Sequence, residues 1–288
     1  MTLRCTLIVT LAALAAVGCH LVVRTDDLVP APAGSSPVDA GARADAGADA
    51  RPTPVACLGP LDPCPGRAGP TMVRVGCYCV DATEVSRRQY AEFVDAMTDG
   101  GAVLPGACRF KTAALPASLV PTDGLERSDL PVTSVDWCDA HAYCAWANKR
   151  LCGAVGGGPA TLGDPRSLAG QWYRACSREG ADTYPYGATY VPDRCNDGKE
   201  TSTTGGELAA VGATTSCEGA YSGLLDMSGN ASEWEDACSG DGDRYDTCAA
   251  RGGNAPFAHS PHQLSCEGTV ANRRDFRGAG LGFRCCGP

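Results

Sequence analysis

Residues 223–234 read G-L-L-D-M-S-G-N-A-S-E-W. Two carboxylates, Asp226 and Glu233, bracket the Gly229-Asn230 turn, and Trp234 follows. A turn this tight can aim side-chain and main-chain oxygens at one point, which is what a hard cation such as Ca²⁺ requires. The same two carboxylates also read as an acid/base pair or as a solvated acidic face, so the stretch needs the rest of the chain to interpret it.

Outward from this stretch, the chain first announces export. Arg4 is followed by an apolar run, residues 7–17, and then Gly18-Cys19. The run is too short to span a bilayer and has the flanks of a signal peptide. Ala16-Val17-Gly18-Cys19 resembles a lipobox, with Ala16 where leucine is usual, so residues 1–19 are expected to be a lipoprotein signal ending at a lipid-bearing Cys19. Residues 20–63 are mostly Ala, Pro, Gly and Asp, with D-A-G-A-R-A-D-A-G-A-D-A as low-complexity text. Such a segment buries too little surface to offset its ordering entropy, and is expected to be a disordered tether. Residues 64–288 then form one domain, long enough for a sizeable core.

The chain holds 18 cysteines. Setting aside Cys5 and Cys19 leaves an even, dense set, which in an exported protein implies disulfides. No C-x2-C occurs, so zinc is not expected. The formal net charge of −9 argues against nucleic acid as a partner, because that needs a basic face. No phosphate loop is present; Gly156-Gly157-Gly158 reads as an ordinary loop.

Residues 72–80 alternate and predict a strand. Residues 86–97 predict a helix, with Ser86 and Gln89 as a capping box and Tyr90, Phe93, Val94 and Met97 on one face. Residues 137–148 predict a second helix, with Trp137, His141, Cys144 and Trp146 toward its buried side. Beyond it, periodicity fades. With 36 glycines and 20 prolines, the remainder predicts loops and short elements.

Several motifs occur in order. They are Val80-Asp81-x-Thr83-Glu84-Val85-Ser86; Pro131-Val132-x-Ser134-Val135-x-Trp137; Tyr143-Cys144-x-Trp146-Ala147-x-Lys149-Arg150-Leu151; and Trp172 before Ala175-Cys176. Tyr184-Pro185-Tyr186-Gly187, the opening stretch, Arg251-Gly252-Gly253 and Gly282-Phe283-Arg284-Cys285 complete the series. Over residues 72–287 this resembles the formylglycine-generating enzyme family, the sulfatase-modifying factors, in a cysteine-rich branch associated with exported bacterial proteins. The resemblance implies an α+β, loop-rich, disulfide-crosslinked fold distantly similar to C-type lectin domains. Catalytic members oxidise a cysteine of an unfolded sulfatase segment to formylglycine, using copper and O₂.

Carried over by motif, the resemblance implies a calcium site from Asp226 and Glu233 side chains and Gly229 and Ala231 carbonyls. A second set would begin at Asn196 and the Asp197 carbonyl, where the following loop is shorter and its acidic ligand cannot be placed. It implies the disulfides Cys144–Cys285 and Cys176–Cys266. Proximity alone pairs Cys195 with Cys217 and Cys238 with Cys248; the other cysteines stay unassigned. The catalytic cysteines do not carry over. Counted from Arg251 they fall at Phe257 and His262, and counted back from Cys266 at Pro256 and Pro261. Copper(I) in that chemistry needs two soft thiolates. A second departure is the Gly-rich insertion between Leu151 and Trp172.

The four tryptophans are expected in the core, and Arg251 and Arg284 in buried ion pairs. His259 and His262 are the candidate residues for any replacement metal site, and otherwise loop histidines. The expected function is thus a calcium-stabilised binding or interaction module, held to a membrane through its lipid anchor, facing a protein, peptide or glycan. Neither copper nor iron is expected. The alternative is an O₂-dependent oxidoreductase acting on a protein or small thiol through an altered site.

Overall fold

The computed structural model describes residues 64, 66, 68–97, 104–111, 129–198, 206–240, 242–257 and 259–288. The expected signal and lipobox, residues 1–19, and the expected tether, residues 20–63, lie outside the described residues, which fall in one unit, Pro52–Pro288.

The predicted first strand is a hairpin. β1 (Met72–Val75) and β2 (Tyr78–Asp81) are antiparallel, with Val75 opposite Tyr78. Gly76 makes the two-residue turn possible, with φ of +56°, a region that side chains disfavour. α1 (Arg87–Met97) starts where expected: Ser86 N–H donates to Gln89 Oε1, and Gln89 N–H donates back to Ser86 Oγ. α2 (Trp137–Trp146) is capped by Asp136 and Asp139 in the same reciprocal way and ends short of Asn148, whose φ is +59°. It is buried almost all round, although His141 and Trp146 are only half-buried. α3 (Gln171–Cys176) and the strands β3 (Arg150–Leu151), β4 (Ser232–Cys238), β5 (Thr247–Arg251), β6 (Thr269–Arg273), β7 (Leu281–Gly282) and β8 (Cys285–Gly287) complete the regular structure.

Two four-stranded sheets result, in the orders β1-β2-β8-β3 and β6-β5-β4-β7. All pairs are antiparallel except β4 with β7. One core gathers Tyr90 and Phe93 of α1, Trp137 and Tyr143 of α2, Trp234 of β4 and Phe283. A second gathers Tyr78 and Val80 of β2, Trp172 of α3, and Leu224 and Met227. Residues 223–234 therefore place Leu224 and Met227 in one core and Trp234 in the other. A single short stretch ties the halves of the domain together.

Seven disulfides join described residues: Cys64–Cys79, Cys108–Cys138, Cys144–Cys285, Cys152–Cys286, Cys176–Cys266, Cys195–Cys217 and Cys238–Cys248. Cys77 is disulfide-bonded as well. The adjacent Cys285 and Cys286 tie β8 to α2 on one side and to Cys152, after β3, on the other. So many crosslinks mark an oxidising, extracytoplasmic compartment. Among the described residues no helix is long and apolar enough to cross a membrane.

Candidate functional site

Asp226, Gly229 and Asn230 all adopt left-handed backbone, with φ of +56°, +74° and +56°. Non-glycine residues enter this region at a cost, and hold it only where the surroundings impose it. The imposing contacts are on Asn230. Its N–H donates to Asn196 O (2.7 Å), its Nδ2 to Glu84 Oε1 (2.9 Å), and its Oδ1 accepts from Asn196 Nδ2 (3.0 Å) and Ala209 N–H (2.9 Å). Gly229 packs so closely on Asn196 O that any Cβ there would collide with it. Asn196 is thus brought against the very turn from which the sequence separates it by more than thirty residues.

Glu84, which carries no assigned role in its sequence motif, gains one in the structure. Its Oε1 accepts from Asn230 Nδ2 and from Ala231 N–H (3.3 Å). Its Oε2 is buried with no partner. Asp226 lies within hydrogen-bonding reach of Glu84 and accepts Gly212 N–H at 2.6 Å. Burial, reinforced by the Asp226 charge, pushes the Glu84 carboxyl well above its ordinary value. Burial raises Asp226 likewise, against the Gly212 N–H and Arg284.

Glu233 is committed elsewhere. Its two oxygens receive Arg284 Nε and Nη2, each at 2.7 Å, and Oε2 also receives Trp172 Nε1 at 2.7 Å. Arg284 is fully buried and further donates to Asp81 O and Leu225 O. Burial alone would lower its pKa; the charge and hydrogen bonds of Glu233 overcome that and hold it above the ordinary guanidinium value. Two residues along the same strand, Glu235 pairs with Arg251, which also donates to Pro165 O and Cys266 O. Asp81 and Lys149 form a third buried pair at 2.6 Å.

Among the described residues no three His, Cys, Asp or Glu side chains converge as a metal cluster. A cation at this turn would therefore draw on two carboxylates, Glu84 and Asp226, and on main-chain oxygens. That donor set is hard, and fits Ca²⁺. At the second predicted set, the Asn196 carbonyl is occupied by Asn230 N–H, and Asp197 Oδ2 accepts from Tyr190 Oη (2.6 Å) and Asp193 N–H (3.2 Å).

The loop after Arg251-Gly252-Gly253 has another character. Phe257 is 54% exposed. The His262 side chain is 71% exposed, with Nε2 3.6 Å from Glu267 Oε1. His259 is half-buried beside Gly253; burial lowers its pKa against the Gln263 side chain beside it. His141 lies against Trp137 on α2, with ring centroids 5.0 Å apart. Every described cysteine is disulfide-bonded. The Gly-rich insertion closes at its neck, where Gln171 N–H donates to Gly153 O (2.8 Å). From there it reaches Arg251 through Pro165 O and pairs Arg166 with Glu267. It therefore braces the base of the loop that holds Phe257 and His262.

The comparisons agree with this architecture. The family model described as "Sulfatase-modifying factor enzyme 1-like domain" matches residues 23–287. The "Inactive C-alpha-formylglycine-generating enzyme 2" of Bos taurus is 29% identical over 176 residues, 57% of this chain and 53% of that protein. The chain thus spans about half the length of the curated relative it matches. Among solved structures, CarF gives a TM-score of 0.50 at 18% identity, covering 80% of this chain and 98% of that one. At that identity the likeness bears on fold alone. PvdO from Pseudomonas aeruginosa gives 0.46 at 17%, covering 73% of this chain and 79% of that one. Since the family match runs through both sheets, the buried turn and the loop beyond Arg251, the chain belongs to the sulfatase-modifying factor enzyme 1-like family.

Proposed function

We propose that this chain is a membrane-tethered, extracytoplasmic binding module that keeps the family scaffold, stabilised by calcium, without its copper oxidase centre. One observation carries the reading. Counted from Arg251 the oxidase cysteines would fall at Phe257 and His262, and counted back from Cys266 at Pro256 and Pro261; neither register holds a cysteine, and every described cysteine is consumed in a disulfide. Copper(I) chemistry of that kind needs two thiolates. The bovine relative is itself named an inactive formylglycine-generating enzyme, and the reading extends that to this chain. Phe257 and the neighbouring loop then face a protein, peptide or glycan ligand. Cys19 supplies the lipid anchor, and Asp226 with the turn oxygens supplies the calcium site.

The competing reading is an O₂-dependent metal enzyme built on His259 and His262. What favours it is the half-buried His259 imidazole in the same loop as His262. One experiment separates the two. The full chain is exported from a bacterial host, its metal content measured, and the protein incubated with a C-x-P-x-R peptide in O₂. Calcium without copper or iron, with the peptide thiol intact by mass spectrometry, is the expected result. Copper or iron that disappears in His262→Ala, or conversion of the thiol, overturns it. Cys19→Ala is expected to move the protein from the membrane to the soluble fraction.

A further inference from the structure

Strand β6 is an edge: among the described residues it pairs with β5 alone. Arg274 N–H donates to Asp246 O on that side, and Ser239 N–H donates to Thr247 O on the far side of β5. Bonding direction alternates along an antiparallel strand. Val270 and Asn272 therefore bond inward to β5, and the main-chain groups of Thr269, Ala271 and Arg273 point out from the sheet. Edges are commonly blunted by shortness, a bulge, a proline or a lysine. β7, at the other edge of this sheet, has only two residues. β6 has none of these devices. It reads Thr-Val-Ala-Asn-Arg and keeps an unbroken register with β5 over its whole length. The Ala271 side chain is exposed, and Val270 is 45% exposed. Tyr245, 64% exposed, lies beside the strand's end, its ring centroid 4.6 Å from the Arg273 guanidinium.

We propose that the outer edge of β6 pairs with β6 of a second copy of this chain, antiparallel about a twofold axis at Ala271, so that two four-stranded sheets join into one. The order of residues in the strand selects this occupant. At the axis Ala271 faces Ala271 of the second copy, the two exchange both main-chain bonds, and the small methyl groups let the strands close. On either side Thr269 of one copy meets Arg273 of the other, both from the outward set. The Arg273 carbonyl already accepts Phe276 N–H and keeps a second lone pair. A register centred on Val270 or Asn272 would instead offer main-chain groups that β5 already uses. The Ala271 register sets no like charges opposite each other within the strand, and brings Arg273 to the end of the other copy that follows Glu267. Tyr245 flanks the seam, and aromatic and arginine side chains are enriched at interfaces. The inference stands apart from the calcium and lipid-anchor readings.

The test is sedimentation velocity of the full, disulfide-bonded chain over a concentration series. One strand pair with a few flanking side chains lies at the small end of interfaces, so a reversible, concentration-dependent dimer is expected. Ala271→Lys leaves the β5 ladder untouched and sets two ammonium groups face to face at the axis. The dissociation constant of the dimer should rise at least about tenfold. Ala271→Pro removes an outward N–H that β5 does not use, and should act alike. Ala271→Cys should give a covalent dimer on a non-reducing gel, because bonded antiparallel partners sit about 5.5 Å apart at Cα, within disulfide reach. Val191→Cys, at a 46% exposed position on another loop, should stay monomeric. A monomer at every concentration overturns the proposal. So does a dimer that Ala271→Lys leaves intact, or crosslinking by Val191→Cys as complete as by Ala271→Cys. If Ala271→Pro fails to fold, Ala271→Lys and the two cysteine variants still decide.

Discussion

Strand β4 with the turn before it, and the loop beyond Arg251-Gly252-Gly253, begin within hydrogen-bonding distance of each other, since Gly229 N–H donates to Gly252 O at 2.7 Å. They differ in almost every other respect. The first is dry, strained in backbone and saturated with charge: Glu233 and Glu235 are each 1% exposed and each holds a buried arginine. The second presents Phe257 and His262 to solvent. In the first, many partners fix each side chain; in the second, the side chains answer to solvent. A buried ion pair is weak testimony for net stability, but breaking one side of it is costly, which keeps both sides in place.

The sharpest way to break the comparison is Arg284→Met. It leaves Glu233 buried without its cation, and the expected loss is about 3–5 kcal/mol of unfolding free energy by urea titration. A loss below roughly 1 kcal/mol would mean that the buried charges are neutralised some other way. Gly229→Ala comes next. It combines a φ of +74° with a Cβ driven into Asn196 O, so a loss of about 1–3 kcal/mol is expected. The same change at Gly156, which has open space around it, carries only the backbone cost and should be milder.

Asp81 adds a pH dependence. Burial raises its carboxyl to about 6 despite the Lys149 ammonium beside it. The folded state therefore holds this proton more tightly than the unfolded chain does. Its contribution is fully present below the unfolded value near 4 and is lost as pH rises through about 6. Measured in EGTA, the urea midpoint should rise on acidification through that window, by an amount on the order of 1–3 kcal/mol in free energy. Carbon-detected NMR of the Asp81 carboxyl should show its midpoint near 6. A midpoint below the ordinary value would show that Lys149 wins over burial.

What could be read in advance divides along the same line. The α1 start was visible in Ser86 and Gln89, because a capping box is local chemistry three residues long. The structure also closes Cys195–Cys217 and Cys238–Cys248, pairs that nearness alone brings together. The second sheet was not visible. β4 reads Ser-Glu-Trp-Glu-Asp-Ala-Cys, and its inward glutamates invert the polar-out pattern by which strands are recognised. α3 has six residues, too few for a helical period to emerge. The hairpin at Gly76 reads as one strand in the sequence because the alternation of apolar residues runs across its turn. Glu84 went without a role because its partner Asn230 lies 146 residues away, and no local rule reaches that far.

The smallest effect on stability should come from the open loop. Phe257→Ser removes an exposed ring that no core cluster includes, so unfolding free energy should change by no more than about 0.5 kcal/mol. Aromatic side chains, Phe among them, are enriched at interfaces relative to the rest of a protein surface. If the loop faces a ligand, Phe257→Ser should abolish or strongly weaken recovery of that ligand from cell-envelope extracts by the intact, immobilised protein. Arg166→Ala, which releases the insertion from Glu267 at the loop's base, should weaken it less. Equal recovery by both variants and the unsubstituted chain would separate the loop from binding, and would direct attention to another face of the same rigid scaffold.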